Sequence, residues 1–212
     1  MITMRYLVIL IVIVFIAWNV WGAYSSRVEQ ARYTLVSKNA DYEIREYPAH
    51  IVAKTTVQGS YDEALTEGFK IVAAYIFGAN KGRALIDNNA DITGRDLRDE
   101  KVHIAMTAPV LAGINGDTHV IAFGMPASYT MDTLPVPDDP RVTLVEMPAQ
   151  KMAAVTFKGQ YTSARVEEME KKLIDALARD KVQTAGDPWF AGYNAPWTPP
   201  WLVRNEVLIP IQ

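Results

Sequence analysis

Cysteine is absent from the 212 residues of the chain, and this absence excludes several kinds of chemistry. A chain without thiols forms no disulfide, uses no thiolate nucleophile and binds neither zinc nor haem iron through sulfur of cysteine. Histidine is scarce: His50, His103 and His119 are the only three, and none has the spacing of a known metal motif. The motifs of nucleotide-binding and hydrolytic enzymes are also missing. We therefore name no catalytic residue and predict a protein that is not an enzyme.

The charge balance excludes a second class of function. The chain has 21 Lys and Arg residues against 24 Asp and Glu residues, with a formal net charge of −3. No run of basic residues interrupts this balance, so we expect no nucleic-acid partner. About half of the residues are apolar, which is enough for a substantial core.

The longest uncharged and strongly apolar run lies at the N-terminus. Residues 6–23 carry no charge, and as a helix they would extend about 27 Å, close to the thickness of a bilayer core. Tyr6 lies near one end of this run, and Trp18 and Trp21 lie near the other. Aromatic side chains are enriched at both membrane interfaces, so their placement indicates that the ends of the run lie there. We predict a single-pass membrane anchor at residues 1–23.

Two questions about this segment stay open. A cleaved signal peptide is the alternative, because Arg5 precedes the apolar run and residues 20–22 are an acceptable cleavage site. Basic residues lie both before and after the run, so the sequence does not decide which side of the membrane the domain faces. The periplasmic or extracytoplasmic side is one of the two options. Residues 24–32 are polar and predict a linker, and the domain would occupy residues 33–212.

An internal repeat organises the domain. Residues 46–67 and 146–167 are identical at nine of 22 positions. The identical pairs are Glu46/Glu146, Pro48/Pro148, Ala49/Ala149, Ala53/Ala153, Thr56/Thr156, Gly59/Gly159, Tyr61/Tyr161, Ala64/Ala164 and Glu67/Glu167. Each copy, near 42–78 and 142–178, reads as strand, proline turn, strand and amphipathic helix. We predict further strands at residues 102–106, 119–125 and 203–211.

One copy is too small to bury its helix alone, so the two copies must enclose a shared core. The pattern predicts an α+β domain with a distorted antiparallel sheet, barrel-like in shape, and two helices, preceded by the transmembrane helix.

Aromatic residues are concentrated outside the repeat. Residues 188–201 contain Trp189, Phe190, Tyr193, Trp197 and Trp201. Three of the prolines in this segment, Pro196, Pro199 and Pro200, oppose a helix or an inner strand there. One interpretation is a rigid loop packed over the sheet. The other is a pocket wall for a flat apolar ligand, to which Met106 could add a soft, gap-filling side chain.

Several motifs, in this order and spacing, give the chain a family resemblance. They are YEIREYPAHIVAKTTV at 42–57, YIFGAN at 75–80, IAMTAPV at 104–110 and AGYNAPWTPPWLVRNEVLI at 191–209. With them the chain resembles the SOUL haem-binding proteins from about Ala31 to its end. The resemblance implies a barrel-like α+β fold and non-covalent binding of haem or a related tetrapyrrole in an apolar groove beside the first helix.

The resemblance also directs attention to individual residues. Some family members have a histidine, proposed as the axial iron ligand, where this chain has Glu46. His50 could replace it as the metal ligand, or binding could rest on apolar contact and pairing of the haem propionates alone. The other candidate cofactor-binding residues are Lys54 and Lys70 as cations at the rim, and Leu65, Phe69, Met106, Tyr193 and Trp197 as walls.

Three functions follow from these expectations. The first is haem buffering or transfer near the membrane. The second is a sensing or protein-interaction module of the same fold that binds another hydrophobic ligand. The third, an enzyme acting on a tetrapyrrole or lipophilic molecule, has only Glu46 and His50 as candidate acid or base.

Overall fold

Three α-helices are present in the computed structural model, which describes residues 2–25, 27–82, 101–115 and 118–212. They are α1 (Ile2–Ser25), α2 (Tyr61–Ile76) and α3 (Ser163–Arg179). Met4–Tyr24 within α1 is long and apolar enough to cross a membrane, a property that a signal sequence shares. Helix α2 begins directly after Ser60, whose hydroxyl donates to the Glu63 carboxylate at 2.6 Å.

Most of the thirteen described strands form one antiparallel sheet of nine, in the order β10-β4-β8-β7-β12-β13-β11-β3-β2. The strands are β1 (Glu29–Gln30), β2 (Thr34–Lys38), β3 (Glu43–Tyr47), β4 (His50–Gln58), β5 (Asn80–Lys81), β6 (Thr107–Ala108), β7 (Val110–Asn115), β8 (Thr118–Gly124), β9 (Val136–Pro137), β10 (Thr143–Met147), β11 (Gln150–Lys158), β12 (Trp189–Gly192) and β13 (Arg204–Ile211). The sheet curls into a half-barrel, which confirms the predicted fold class.

The two copies of the repeat exchange strands. Strands β3 and β4 follow each other in the chain but do not pair with each other. Strand β3 pairs with β11, and β4 pairs with β10. In register, His50 lies opposite Met147 and Gln150 lies opposite Tyr47. Each Pro-Ala dipeptide therefore carries the chain from one half of the sheet to the other, and each half is completed by a strand of the other copy.

The sheet has two different faces because side chains alternate along each strand. Helices α2 and α3 cover one face, the helix face, where Ala53, Ile121 and Val207 are fully or almost fully buried with the helix side chains. The opposite face, the open face, carries a smaller cluster that includes Tyr47, Met152 and Leu208. This alternation leaves every second residue of the central strands free to shape a site away from the main core.

Two segments differ from the sequence-based expectation. Residues 102–106 are not a strand, and the Asn80 side chain instead bonds to the backbone of Val102. Trp189–Gly192, expected within a loop, forms the inner strand β12 between β7 and β13, because the prolines that oppose a strand come only after it. Within the predicted linker 24–32, the short strand β1 pairs with β6; Ser26 lies outside the described residues.

Candidate functional site

A cavity of about 700 Å³ lies on the open face of the sheet. Its volume falls in the range of about 300–1,000 Å³ that is common for small-molecule sites. Strands of both copies and both Pro-Ala crossings contribute to its walls. The apolar part of its lining includes Val52, Leu111, Met125, Met147, Met152, Trp189 and Leu208.

Small residues on one strand explain why the sheet is hollow here. Ala122 and Gly124 of β8 line the cavity, whereas Ile121 and Phe123, which alternate with them along the strand, point into the core of the helix face. The side chains of Ala122 and Gly124, a methyl group and a hydrogen atom, fill little space above the sheet. Bulkier side chains surround them and form the walls of the cavity. Strand alternation thus places the large residues in the core and leaves room on the open face.

His50 lines the cavity at the first residue of β4. Its Nδ1 atom lies 2.9 Å from the carbonyl oxygen of Pro48. Because a carbonyl oxygen can only accept, Nδ1 must carry the proton, and the neutral ring then has its lone pair on Nε2. A backbone carbonyl that fixes the tautomer in this way is the usual support of a metal-binding histidine. His50 is therefore chemically able to ligate one metal ion.

Charged side chains accompany His50 in the cavity. Lys54 lies four residues further along β4 on the same face, about 13 Å away at the rise of a strand. Arg32, Glu29 and Glu146 complete the charged lining. No group of three or more metal-binding side chains exists among the described residues, so a metal here would need most of its ligands from a cofactor. A porphyrin supplies four nitrogens, and a cation such as Lys54 can face its carboxylates.

Tyr193, predicted as a wall, does not line this cavity and belongs to a buried charge network at the open face. Its hydroxyl donates to Glu206 Oε2 at 2.8 Å, and the Arg204 guanidinium lies 4.0 Å from its ring centre. Arg45 also pairs with Glu206, through a 2.7 Å contact between Nη1 and Oε2. Burial and the neighbouring Glu206 charge raise the pKa of Tyr193 above its ordinary value. The phenol therefore stays protonated and serves as a donor within the network.

The remaining predicted residues lie outside the lining of this cavity. Leu65 packs against the core of the helix face, and the exposed Phe69 ring lies 5.2 Å from the ring of Phe123. Lys70 is exposed on the same helix, α2. Met106 packs against the helix-face core, next to Thr107, which does line the cavity. The structure thus brings His50 and Lys54 together and separates them from the α2 residues.

Trp197 lies at a different place again. Its backbone carbonyl accepts a 2.9 Å hydrogen bond from Nε1 of Trp18 in α1, and its side chain is largely exposed. The aromatic segment 188–201 is therefore divided, since only Trp189 of its five aromatic residues lines the cavity.

Three further lining residues, Met147, Arg32 and Met152, were not selected by any sequence motif. One signal could have identified Met147: it is the repeat partner of Tyr47, just as Gln150 is the partner of His50. All four of these repeat-related residues line the cavity. Positions at which the two copies differ, immediately beside an identical Pro-Ala pair, therefore mark the site.

Solved structures with the same fold share little sequence with this chain. The C-terminal domain of EcmrR is 11% identical with a TM-score of 0.57, over 85% of this chain and 98% of that one. EcmrR in a complex with DNA gives 12% identity and a TM-score of 0.54, over 100% of this chain and 71% of that one. An uncharacterised conserved protein from Listeria innocua is 13% identical with a TM-score of 0.51, over 83% and 94%. These likenesses show the fold alone.

Sequence comparison identifies the family more closely. No curated protein matches the chain. The model of the SOUL heme-binding protein family matches residues 28–210, a range that starts before β1 and ends within β13. It includes every strand of the half-barrel except the last residue of β13, and every described residue of the cavity lining. The chain therefore belongs to the SOUL haem-binding protein family.

Proposed function

We propose that this protein binds haem or a related tetrapyrrole non-covalently in the cavity of the open face, and that it buffers or transfers this ligand near a membrane. The observation that carries the proposal is His50, which lines an apolar cavity of about 700 Å³ with Nδ1 bonded to a carbonyl and Nε2 left with the lone pair. Family membership supports haem as the ligand class.

The residues of the cavity suit the parts of a haem. His50 would hold the iron through Nε2, and the bound haem would supply the other four nitrogen ligands. Met147, Met152 and Trp189 offer soft and flat apolar surfaces to a porphyrin plane. Lys54 would pair with a propionate. Burial of one face of the ring together with such a pair can give a micromolar Kd, about 8 kcal/mol.

The N-terminal helix supports a location at a membrane. We propose that residues 1–23 stay attached as a single-pass anchor, that 24–32 connect it, and that 33–212 form the binding domain. Only 6% of the apolar window in Met4–Tyr24 is buried within the protein, so this surface requires another apolar environment. Determining whether the mature N-terminus is Met1 or lies near Ala23 separates an anchor from a cleaved signal.

The test is a hemin titration of the full chain in lipid nanodiscs, followed in the Soret band. We compare His50→Ala with His103→Ala, an exposed histidine that does not line the cavity, and Lys54→Met with Lys70→Met. The amount of hemin that partitions into the lipid is the same in all samples, so differences between the variants report binding to the protein. We expect saturable one-to-one binding by the wild type, and a loss of the coordinated-histidine spectrum with at least about tenfold weaker binding, 1.4 kcal/mol, for His50→Ala.

Each outcome identifies a different site. If the control variants bind like the wild type and Lys54→Met binds several-fold more weakly, the open-face cavity is the site. If Lys70→Met loses affinity while His50→Ala and Lys54→Met do not, the ligand lies beside α2, as the family resemblance implies. No saturable binding by the wild type would overturn the haem proposal.

A further inference from the structure

A proline-rich loop next to the last strand exposes an unusual amount of apolar surface. We call residues 195–202 the tryptophan loop. Within it Trp197, Trp201 and Leu202 are 58%, 48% and 40% exposed. No charged residue occurs from position 188 to position 203. Large aromatic side chains clustered at this exposure mark a surface that meets another apolar phase.

The tryptophan loop is attached to the N-terminal helix by several contacts. Nε1 of Trp201 donates to Oδ1 of Asn19 at 2.9 Å, and its ring centre lies 5.4 Å from that of Trp18 and 5.6 Å from that of Phe15. Nε1 of Trp18 donates to the Trp197 carbonyl at 2.9 Å. The loop therefore follows the side of α1 over more than one turn.

These contacts fall inside the apolar span of α1. Asn19 lies five residues before Tyr24, about 8 Å along the helix, and Phe15 lies nine residues before it, about 13 Å. If Met4–Tyr24 crosses the hydrocarbon core, the ring of Trp201 cannot remain in the water phase. It must lie below the headgroups, at the level of the side chains that it touches.

Several polar groups at this contact are hydrogen-bonded in a way that suits such a depth, whereas the buried hydroxyl of Thr198 has no partner among the described residues. Both polar atoms of the Asn19 side chain are used, because Oδ1 accepts from Trp201 and Nδ2 donates to the Phe15 carbonyl at 2.8 Å. Within the loop, Thr198 donates its amide to the Ala195 carbonyl and Leu202 donates to the Pro199 carbonyl. A polar residue in an apolar span needs such a partner, since lipid offers none.

We propose that the tryptophan loop inserts into the bilayer interface beside α1 and holds the domain against the membrane as a second contact. The inference rests on the proposed membrane anchor. The partner is lipid rather than protein, because the exposed Trp197 and Leu202 continue the apolar surface of the span and lack charge. Aromatic residues with one polar edge favour this interfacial region.

The second contact would bring the haem cavity close to the membrane. Glu29 and Arg32 line the cavity, and Arg32 follows Ser25, the last residue of α1, by seven positions. Even fully extended, this segment spans only about 25 Å. A lipophilic ligand could then pass between bilayer and cavity without crossing a long water path, which gives the loop a role in transfer.

The absence of cysteine in the chain permits a direct test with single spin labels on the full chain in phosphatidylcholine vesicles. Trp197→Cys places a nitroxide on the loop without removing the carbonyl that Trp18 bonds. Val12→Cys reports the middle of α1, and Ile174→Cys reports an exposed position on α3. Power-saturation EPR compares access of oxygen, which concentrates in lipid, with access of a water-soluble nickel complex.

We expect the label at Trp197 to resemble that at Val12, with oxygen access exceeding nickel access, and the label at Ile174 to show the reverse. If Val12 is in lipid while Trp197 resembles Ile174, the loop does not insert and only the anchor stands. If Val12 also resembles Ile174, both the anchor and the loop inference fail, while the hemin titration still tests binding. A Trp197 label shielded from both reagents would indicate a protein partner and overturn the inference.

Gly22 provides a second variant that tests the attachment itself. A Cβ atom at Gly22 would lie 2.5 Å from Cδ of Pro199, and the proline ring cannot rotate away. Gly22→Leu should therefore move the loop from α1 and shift the Trp197 label towards nickel access. Ala23→Leu, the same side chain at the next and exposed position, is the control. Equal depth of the Trp197 label in both variants would show that contact with α1 does not position the loop.

Discussion

The buried pair of Arg45 and Glu206 permits a quantitative prediction about stability. Two hydrogen bonds join them, at 2.7 Å and 3.0 Å, and the side chains are 2% and 0% exposed. Glu206 also accepts from Arg204, Tyr193 and Thr156, so its two oxygens accept six hydrogen bonds. The charges are thus withdrawn from water, and their mutual contacts replace the lost hydration.

Replacing Glu206 by Gln leaves the Arg45 guanidinium buried with Glu43 as its remaining counter-ion. Loss of one partner of a buried ion pair costs about 3–5 kcal/mol, a large part of the 5–15 kcal/mol typical of a folded domain. Arg45→Met should cost less, about 1.5–3 kcal/mol, because Glu206 keeps Arg204 and its neutral donors. The expected order is therefore Glu206→Gln, then Arg45→Met.

Urea denaturation followed by far-UV circular dichroism, with the chain in nanodiscs, measures these free energies of unfolding. The control is Lys171→Met, which removes an exposed ion pair with Asp175 on α3 and should cost no more than about 0.5 kcal/mol. A cost for Glu206→Gln as small as that of Lys171→Met would refute the reasoning, because it would mean that the buried charges have no net interaction to lose.

The same pair predicts a pH dependence. Burial alone would raise the pKa of Glu206, but the hydrogen bonds and charges of Arg45 and Arg204 outweigh it and hold the pKa below the ordinary value of 4.5. A lowered carboxyl pKa stabilises the fold above the unfolded pKa, and this contribution is lost as the pH falls through the folded pKa. The free energy of unfolding should therefore decrease below about pH 4.5, and less steeply in Glu206→Gln.

Two further predictions concern glycine residues, both measured by the same denaturation. Gly159 has a φ of 95°, and no atom lies within 4 Å of the position that an added Cβ would take. Gly159→Ala should therefore cost about 1–3 kcal/mol through backbone strain alone. The control Gly124→Ala, at a glycine with no left-handed φ, should cost less. At Gly68 an added Cβ would collide with Ile121, so Gly68→Ala should destabilise by about 1–3 kcal/mol even though alanine favours helices, while the exposed Thr66→Ala should not. A stabilising Gly68→Ala would show that α2 adjusts freely on the sheet.

The repeat in the sequence was sufficient to predict the fold class. Its apolar spacing located α2 and α3, and the alternation of residues 42–47 and 50–57 located β3 and β4. The exchange of strands could not be predicted in the same way. Pro48 and Pro148 interrupt the strands equally well in a chain that pairs β3 with β4 and in one that separates them, and only the packing of both helices on one sheet distinguishes these arrangements.

The candidate site was predicted only in part. His50 and Lys54 both line the cavity because they are four residues apart on one strand, and residues at even spacing on a strand share a face. Such spacing can be seen in the sequence. The α2 residues were selected from the resemblance and face the other side of the sheet. Trp189 was grouped with Trp197 because they are close in sequence, yet the turn after β12 sends one into the cavity and the other to α1.

The strand exchange explains how one duplicated unit can produce an asymmetric site. The identical Pro-Ala pairs carry both copies across the sheet, so His50 meets Met147 and Gln150 meets Tyr47 around the same cavity. Changes at these four positions alter the lining without disturbing the helix-face core, because their side chains point away from it. Folding therefore constrains the dipeptide and the glycine turns to remain alike, while the residues beside them are free to differ. A single histidine at one of the two equivalent places makes the two sides of the cavity chemically different.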